Sequence, residues 1–183
     1  MTEAQAKPGT DWDRITAISA VMIGLVAVAV SAYTAVIQRQ QVRAQVWPRL
    51  MMYSGGSTGE FGVANRGVGP AIVKSVRVDV DGKPVHDWKE LYGRLRIADA
   101  DPYYNSLSGQ VFSAGQDMMY LRPSTREHYN ALRAMAGSRF GLVTCYCSTL
   151  GECWTTQTRL TSLDDQQRAV KSCPASGPGD FNN

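Results

Sequence analysis

The sequence predicts an N-terminal transmembrane α-helix followed by a mainly-β domain, an immunoglobulin-like β-sandwich with short helical inserts, a small α+β domain being the alternative. Three observations carry this reading. An uncharged apolar run extends from Ile15 to Ile37. Beyond Pro48, short segments of alternating character recur between turns containing Gly, Asn and Asp. Helical signals in that part are brief, opening only at Asp87 and Ser124.

The apolar run, ITAISAVMIGLVAVAVSAYTAVI, is interrupted only by small Ser and Thr and by Tyr33. At about 1.5 Å rise per residue it reaches across a hydrocarbon core of about 30 Å. Trp12 and Tyr33 lie near its two ends, where amphipathic rings favour the interface. A cleavable signal peptide is the rival, with Ala29-Val30-Ser31-Ala32 as its cutting site. Its apolar core would be shorter and its leading segment would lack acids such as Asp11 and Asp13, so a retained signal anchor is expected. Ala20, Gly24, Ala27 and Ser31 follow small-xxx-small spacing and form a candidate seam for a homodimer through the helix. Gln38 to Trp47 reads as a helical stalk that stops before Pro48, because a residue preceding proline is driven to extended geometry. The expected organisation is a short tail over 1–14, a transmembrane helix over 15–37, a stalk over 38–47, a β-sandwich over 48–173 and a disordered tail over 174–183.

Within the domain, Glu60 to Val80 reads as two strands joined by the turn Asn65-Arg66-Gly67-Val68-Gly69-Pro70-Ala71. Val76, Val78 and Val80 share one face of the second strand, with Arg77 and Asp79 on the other. Asp81-Gly82 is a hairpin turn. Asp87-Trp88-Lys89-Glu90 has capping-box spacing and opens a helix to about Leu95. Ser124-Thr125-Arg126-Glu127 opens another, which Gly137 stops. Gln110 to Ala114 and Asp117 to Arg122 read as a strand pair around Gly115, and Arg139 to Ser148 with Cys153 to Leu160 as a last hairpin. From Pro174 onward there is no periodicity.

The phrase FGVANRGVGPAIVKSVRVDVDGKPV, together with TCYCSTLGECW, resembles a loosely defined set of uncharacterised bacterial membrane-anchored proteins. These join one N-terminal helix to a small β-rich domain with an N-x-G-x-G-P-A turn and a CYC…CW hairpin. The resemblance covers about two thirds of the chain. It implies architecture and no chemistry.

A net charge of +3 over 183 residues, with the basic residues scattered among acids, points to no polyanion, and nucleic acid is not an expected partner. Positive charge does not orient the anchor: Lys7, Arg14 and the α-amino group flank one end, Arg39, Arg43 and Arg49 the other. The four cysteines decide it. Cys145, Cys147, Cys153 and Cys173 suit two disulfides in an oxidising compartment, which gives a single-pass protein of the bacterial inner membrane with a periplasmic domain.

Cys145 and Cys147 are two apart and face the same way on a strand. With Cys147 opposite Cys153, Tyr146 meets Trp154 on the other face. A Cys147–Cys153 bond with Cys145 tied to Cys173 would clamp the hairpin, although spacing alone leaves the pairing open. A zinc site would want C-x2-C to C-x4-C knuckles, and a redox centre would want C-x-x-C at a helix start. His86 and His128 sit beside helix starts without the other parts of a catalytic site, and no G-x-S-x-G, H-E-x-x-H or P-loop is present. The loop ADADPYYNS, with Asp99 and Asp101, lacks a complete calcium pattern. Its Asp101, Tyr103, Tyr104 and Asn105 suit protein contact.

The expectation is therefore a non-enzymatic interaction or accessory protein of the envelope, with lipid and another envelope protein as partners and neither metal nor cofactor. A thiol-based redox or metal-handling protein using the cysteine cluster is the first alternative. A cytoplasm-facing sensor or effector moored to the membrane is the second.

Overall fold

A computed structural model describes residues 11–98, 101–158, 167–175, 177 and 180–181. The chain divides into two compact units at Ala44 and Gln45. The first unit is almost wholly helix α1, Asp11–Gln45, 35 residues without a break and without a buried side chain. Its hydroxyls are satisfied within the helix: Ser31 Oγ donates to the Ala27 carbonyl at 2.8 Å and Thr34 Oγ1 to that of Val30 at 2.8 Å. Self-satisfied polar groups are what an apolar solvent demands. The helix is long and apolar enough to cross a membrane. The expected span and stalk are thus one continuous element, which ends just ahead of Trp47-Pro48.

The second unit contains β1 (Leu50–Gly55), β2 (Glu60–Asn65), β3 (Ala71–Val80), β4 (Lys83–Val85), α2 (Trp88–Leu95), β5 (Tyr103–Tyr104) and β6 (Val111–Phe112). It continues with β7 (Asp117–Arg122), α3 (Arg126–Met135), β8 (Phe140–Cys147), β9 (Cys153–Gln157) and β10 (Gln167–Val170). Two sheets form, in the orders β1-β2-β7-β5 and β10-β9-β8-β3-β4, with β6 also pairing to β3. The domain is therefore mostly β, with α2 and α3 as inserts. Leu50 and Val63 of the first sheet, Val76 and Leu142 of the second, and Leu91 and Leu132 of the helices close one core.

Local rules explain the elements. Asp81 and Gly82 take φ of 50° and 75°, the left-handed pair that a type I′ hairpin needs between β3 and β4. Asp87 caps α2 by accepting from Glu90 N at 2.7 Å, while the Glu90 carboxylate accepts from His86 N at 2.8 Å. Thr125 caps α3, its hydroxyl accepting from His128 N at 3.2 Å.

The two strands expected over Glu60 to Val80 are β2 and β3; they lie in different sheets, β2 pairing with β1 and β7 and β3 with β8, β4 and β6, so the Asn65–Ala71 turn carries the chain from one sheet to the other. Two expectations are corrected, the strand pair around Gly115 and the disordered tail. β6 and β7 do not pair with each other; β6 joins β3 and β7 joins β2 and β5. Alternation marks a strand and its buried face but not its sheet. The tail expected to be disordered after Cys173 is anchored at Asp180 and Phe181. Phe181 is 4 % exposed, its N–H donates to the Val76 carbonyl at 2.9 Å, and its ring meets Trp88 edge-on at 4.8 Å. One aromatic ring in a hydrophobic notch fixes Phe181 in a part of the sequence that has no periodicity of its own. Asp99 and Leu160, named in the sequence reading, lie outside the described residues.

Candidate functional site

The β8–β9 hairpin sets Cys147 opposite Cys153 and Tyr146 opposite Trp154. Period-two geometry then gathers the sulfurs on one face and the rings on the other. Cys147 and Cys153 are joined across a Cα separation of 4.0 Å, six residues apart in sequence. Cys145 is joined to Cys173, 28 residues on, at a Cα separation of 5.6 Å. No cysteine is free. Linked in pairs, the sulfurs offer no thiolate to a metal, since zinc needs the deprotonated thiol.

The two bonds touch. Cys147 Sγ lies 3.7 Å from Cys173 Sγ, and the sulfurs of Cys147, Cys153 and Cys173 all fall within 4.8 Å of one another. They border an open depression whose other walls are Lys74, Ser172, Pro174 and Ala175. Lys74 reaches it because β3 bulges there: the β3–β8 register steps from Val73 opposite Tyr146 to Ser75 opposite Cys145, passing over Lys74. A bulge of this kind re-aims one side chain off the ladder.

Behind the sulfurs, Tyr146 is fully buried and stacks at a tilt on Trp154, with ring centroids 6.0 Å apart. Its hydroxyl accepts from Leu50 N at 3.2 Å, tying β8 to β1 in the other sheet. Burial pushes the Tyr146 phenol up to about 12, against partial opposition from the Leu50 bond and nearby Arg49.

The structure adds a residue that the sequence reading treated only as part of a turn. Asn65 is fully buried, and both ends of its amide serve the backbone. Oδ1 accepts from Arg49 N at 3.1 Å and Gly67 N at 3.0 Å. Nδ2 donates to the carbonyls of Gly69 at 2.8 Å, Phe112 at 3.0 Å and Ser113 at 3.2 Å. Val68 and Gly69 N–H groups both reach the Trp47 carbonyl, at 3.0 and 3.2 Å. A Cβ on Gly67 would overlap the Trp47 carbonyl and the Arg49 amide, and one on Gly69 the Val46 carbonyl. The N-x-G-x-G pattern is thus a cradle for residues 46–49, where the chain enters the domain. The Asn and the two Gly in fixed register were the available signal.

The other candidate residues are dispersed. Tyr103 and Tyr104 form edge strand β5 and are 58 % and 44 % exposed. Asp101 is exposed nearby, but Asn105 turns inward and donates to the Met119 carbonyl at 2.9 Å, so it supports the edge. His86 and His128 serve through their backbone N–H groups at the two helix starts. Ala20, Gly24, Ala27 and Ser31 are all exposed on α1. The chain matches no protein-family model and no curated protein.

Proposed function

We propose that this is a membrane-anchored, non-enzymatic interaction or accessory protein of the bacterial envelope, held by α1 in the inner membrane with its domain in the periplasm. The observation that carries the reading is the pair of disulfides, Cys147–Cys153 and Cys145–Cys173. Such bonds persist in oxidising compartments and are removed in the cytosol. The two antiparallel sheets are taken as the faces of an immunoglobulin-like sandwich, a frame that commonly presents loops and edges to other proteins. The edge offered is β5, two residues long and last in its sheet among the described residues, with Tyr103 and Tyr104 exposed.

The test begins in intact cells. After an acid quench, thiols are alkylated before and after reduction and the peptides are mapped. Label on all four cysteines only after reduction is the expected result; label on all four beforehand would place the domain in a reducing compartment and end this reading. A photoreactive side chain at Tyr103 should then give a protein adduct in native membranes, while the same group at exposed Lys83 should not. Equal yields at both positions would remove β5 as the contact edge.

A further inference from the structure

We propose that the cysteine cluster is a thiol–disulfide exchange site, in which an external dithiol opens Cys147–Cys153 and the freed Cys147 takes Cys173 from Cys145. This goes beyond a contact role, because it gives the domain a substrate class, reduced dithiols, and a chemical response to them.

Access and adjacency argue for it. Cys147, Cys153 and Cys173 border the open depression, Cys147 and Cys153 at 7 % exposure each and Cys173 half-buried, whereas Cys145 is 3 % exposed and does not border it. A thiolate entering the depression therefore reaches the hairpin sulfurs and Cys173 but not the Cys145 sulfur. Attack on Cys153 Sγ forms a mixed disulfide there and expels Cys147 as thiolate. The second thiol of the reagent then attacks its own sulfur of that mixed disulfide. This releases Cys153 as a thiol and leaves the reagent oxidised to a cyclic disulfide. Meanwhile the Cys147 thiolate lies in contact with Cys173 Sγ, at 3.7 Å. Its attack forms Cys147–Cys173 and expels Cys145 as thiolate, which takes up a proton. Two electrons have entered from the dithiol. One protein disulfide remains, and the thiols stand at Cys145 and Cys153.

Nothing in chain topology opposes the second step. The loop closed by Cys173 with Cys145 is 28 residues and with Cys147 it is 26, so closure entropy is nearly the same. Cys145 and Cys147 share a face of β8 two residues apart, and Cys173 Sγ already lies 3.7 Å from the Cys147 sulfur, so the transfer needs only a small shift of Cys173. Lys74, set on the depression by the bulge, supplies positive charge beside the sulfurs and favours the thiolate that must attack.

The experiment uses the full-length protein in detergent micelles, treated with limiting dithiothreitol, quenched in acid, alkylated and mapped. The expected first one-disulfide species retains Cys147–Cys173 and carries label on Cys145 and Cys153. A species that keeps Cys145–Cys173, with label on Cys147 and Cys153, would overturn the proposal. So would one that keeps Cys147–Cys153, with label on Cys145 and Cys173. Cys153→Ser gives a second reading without reductant: the single free thiol should map to Cys145, and finding it at Cys147 counts against exchange. In Lys74→Met the pH midpoint of the exchange rate should move upward, and an unchanged midpoint would remove the lysine from the site.

Discussion

Asn65 shows how much of a fold can rest on one amide. Five backbone groups, from residues 49, 67, 69, 112 and 113, use it as their partner. Asn65→Ala leaves several of them buried without one, at about 1–3 kcal/mol each before relaxation, so we expect a loss of at least about 3 kcal/mol in a denaturant titration. Asn65→Asp should be no milder, since a carboxylate keeps the two accepted bonds but turns an oxygen toward three carbonyls. The sequence announces a structured turn here through Asn and Gly. It does not announce what the turn grips, because Trp47 and Phe112 lie far away along the chain. Tyr146 makes a prediction in pH. Its phenol stands at about 12 in the folded protein against an ordinary 10.0, chiefly because burial disfavours the phenolate. The folded state thus holds this proton more tightly, and the contribution is complete below pH 10 and lost as pH rises through 12. Stability measured by urea titration should fall across that window, and Tyr146→Phe should remove this part of the fall. The same variant loses the acceptor of the buried Leu50 N–H and should be about 1–2 kcal/mol less stable at pH 7.

Among the elements, the β8–β9 hairpin is the part most readable in advance. Period-two alternation and the spacing of Cys147, Cys153, Tyr146 and Trp154 suffice to put sulfurs on one face and rings on the other. Less readable is the bulge at Lys74, since nothing in Val73-Lys74-Ser75 signals an extra residue. The two disulfides differ in how much chain they constrain. Loop entropy assigns about 3.5 kcal/mol to the 28-residue separation and about 2 kcal/mol to the six-residue one. Replacing Cys145 and Cys173 together by Ala should therefore destabilise the protein more than replacing Cys147 and Cys153 together. Chemical denaturation of the two double variants checks the order, and the reverse order would show that local contacts around the hairpin outweigh chain constraint.

At the scale of the molecule, a helix followed by a mostly-β domain follows from composition and alternation alone, whereas the assignment of strands to sheets does not. β2 and β3 are neighbours in sequence with a turn between them, yet they belong to different sheets, β2 pairing with β1 and β7 and β3 with β8. Phe181 escapes sequence reading for a related reason: its burial depends on Trp88 and Val76, far upstream. Phe181→Ala should lower stability by about 3 kcal/mol, as for other buried Phe truncations, and a denaturation midpoint unchanged from wild type would show that Trp88 is covered some other way. The same docking sets a schedule for biogenesis. A chain emerging from the ribosome presents Trp88 and Cys145 well before Cys173 and Phe181. The hairpin bond can close early, six residues after its first half appears, while Cys145 waits for a sulfur still unmade. Until then the nascent domain displays an uncovered tryptophan and an unmated cysteine, the two features that holdase chaperones and disulfide catalysts act on. Its dependence on such helpers should therefore be concentrated in the interval before Cys173 and Phe181 arrive.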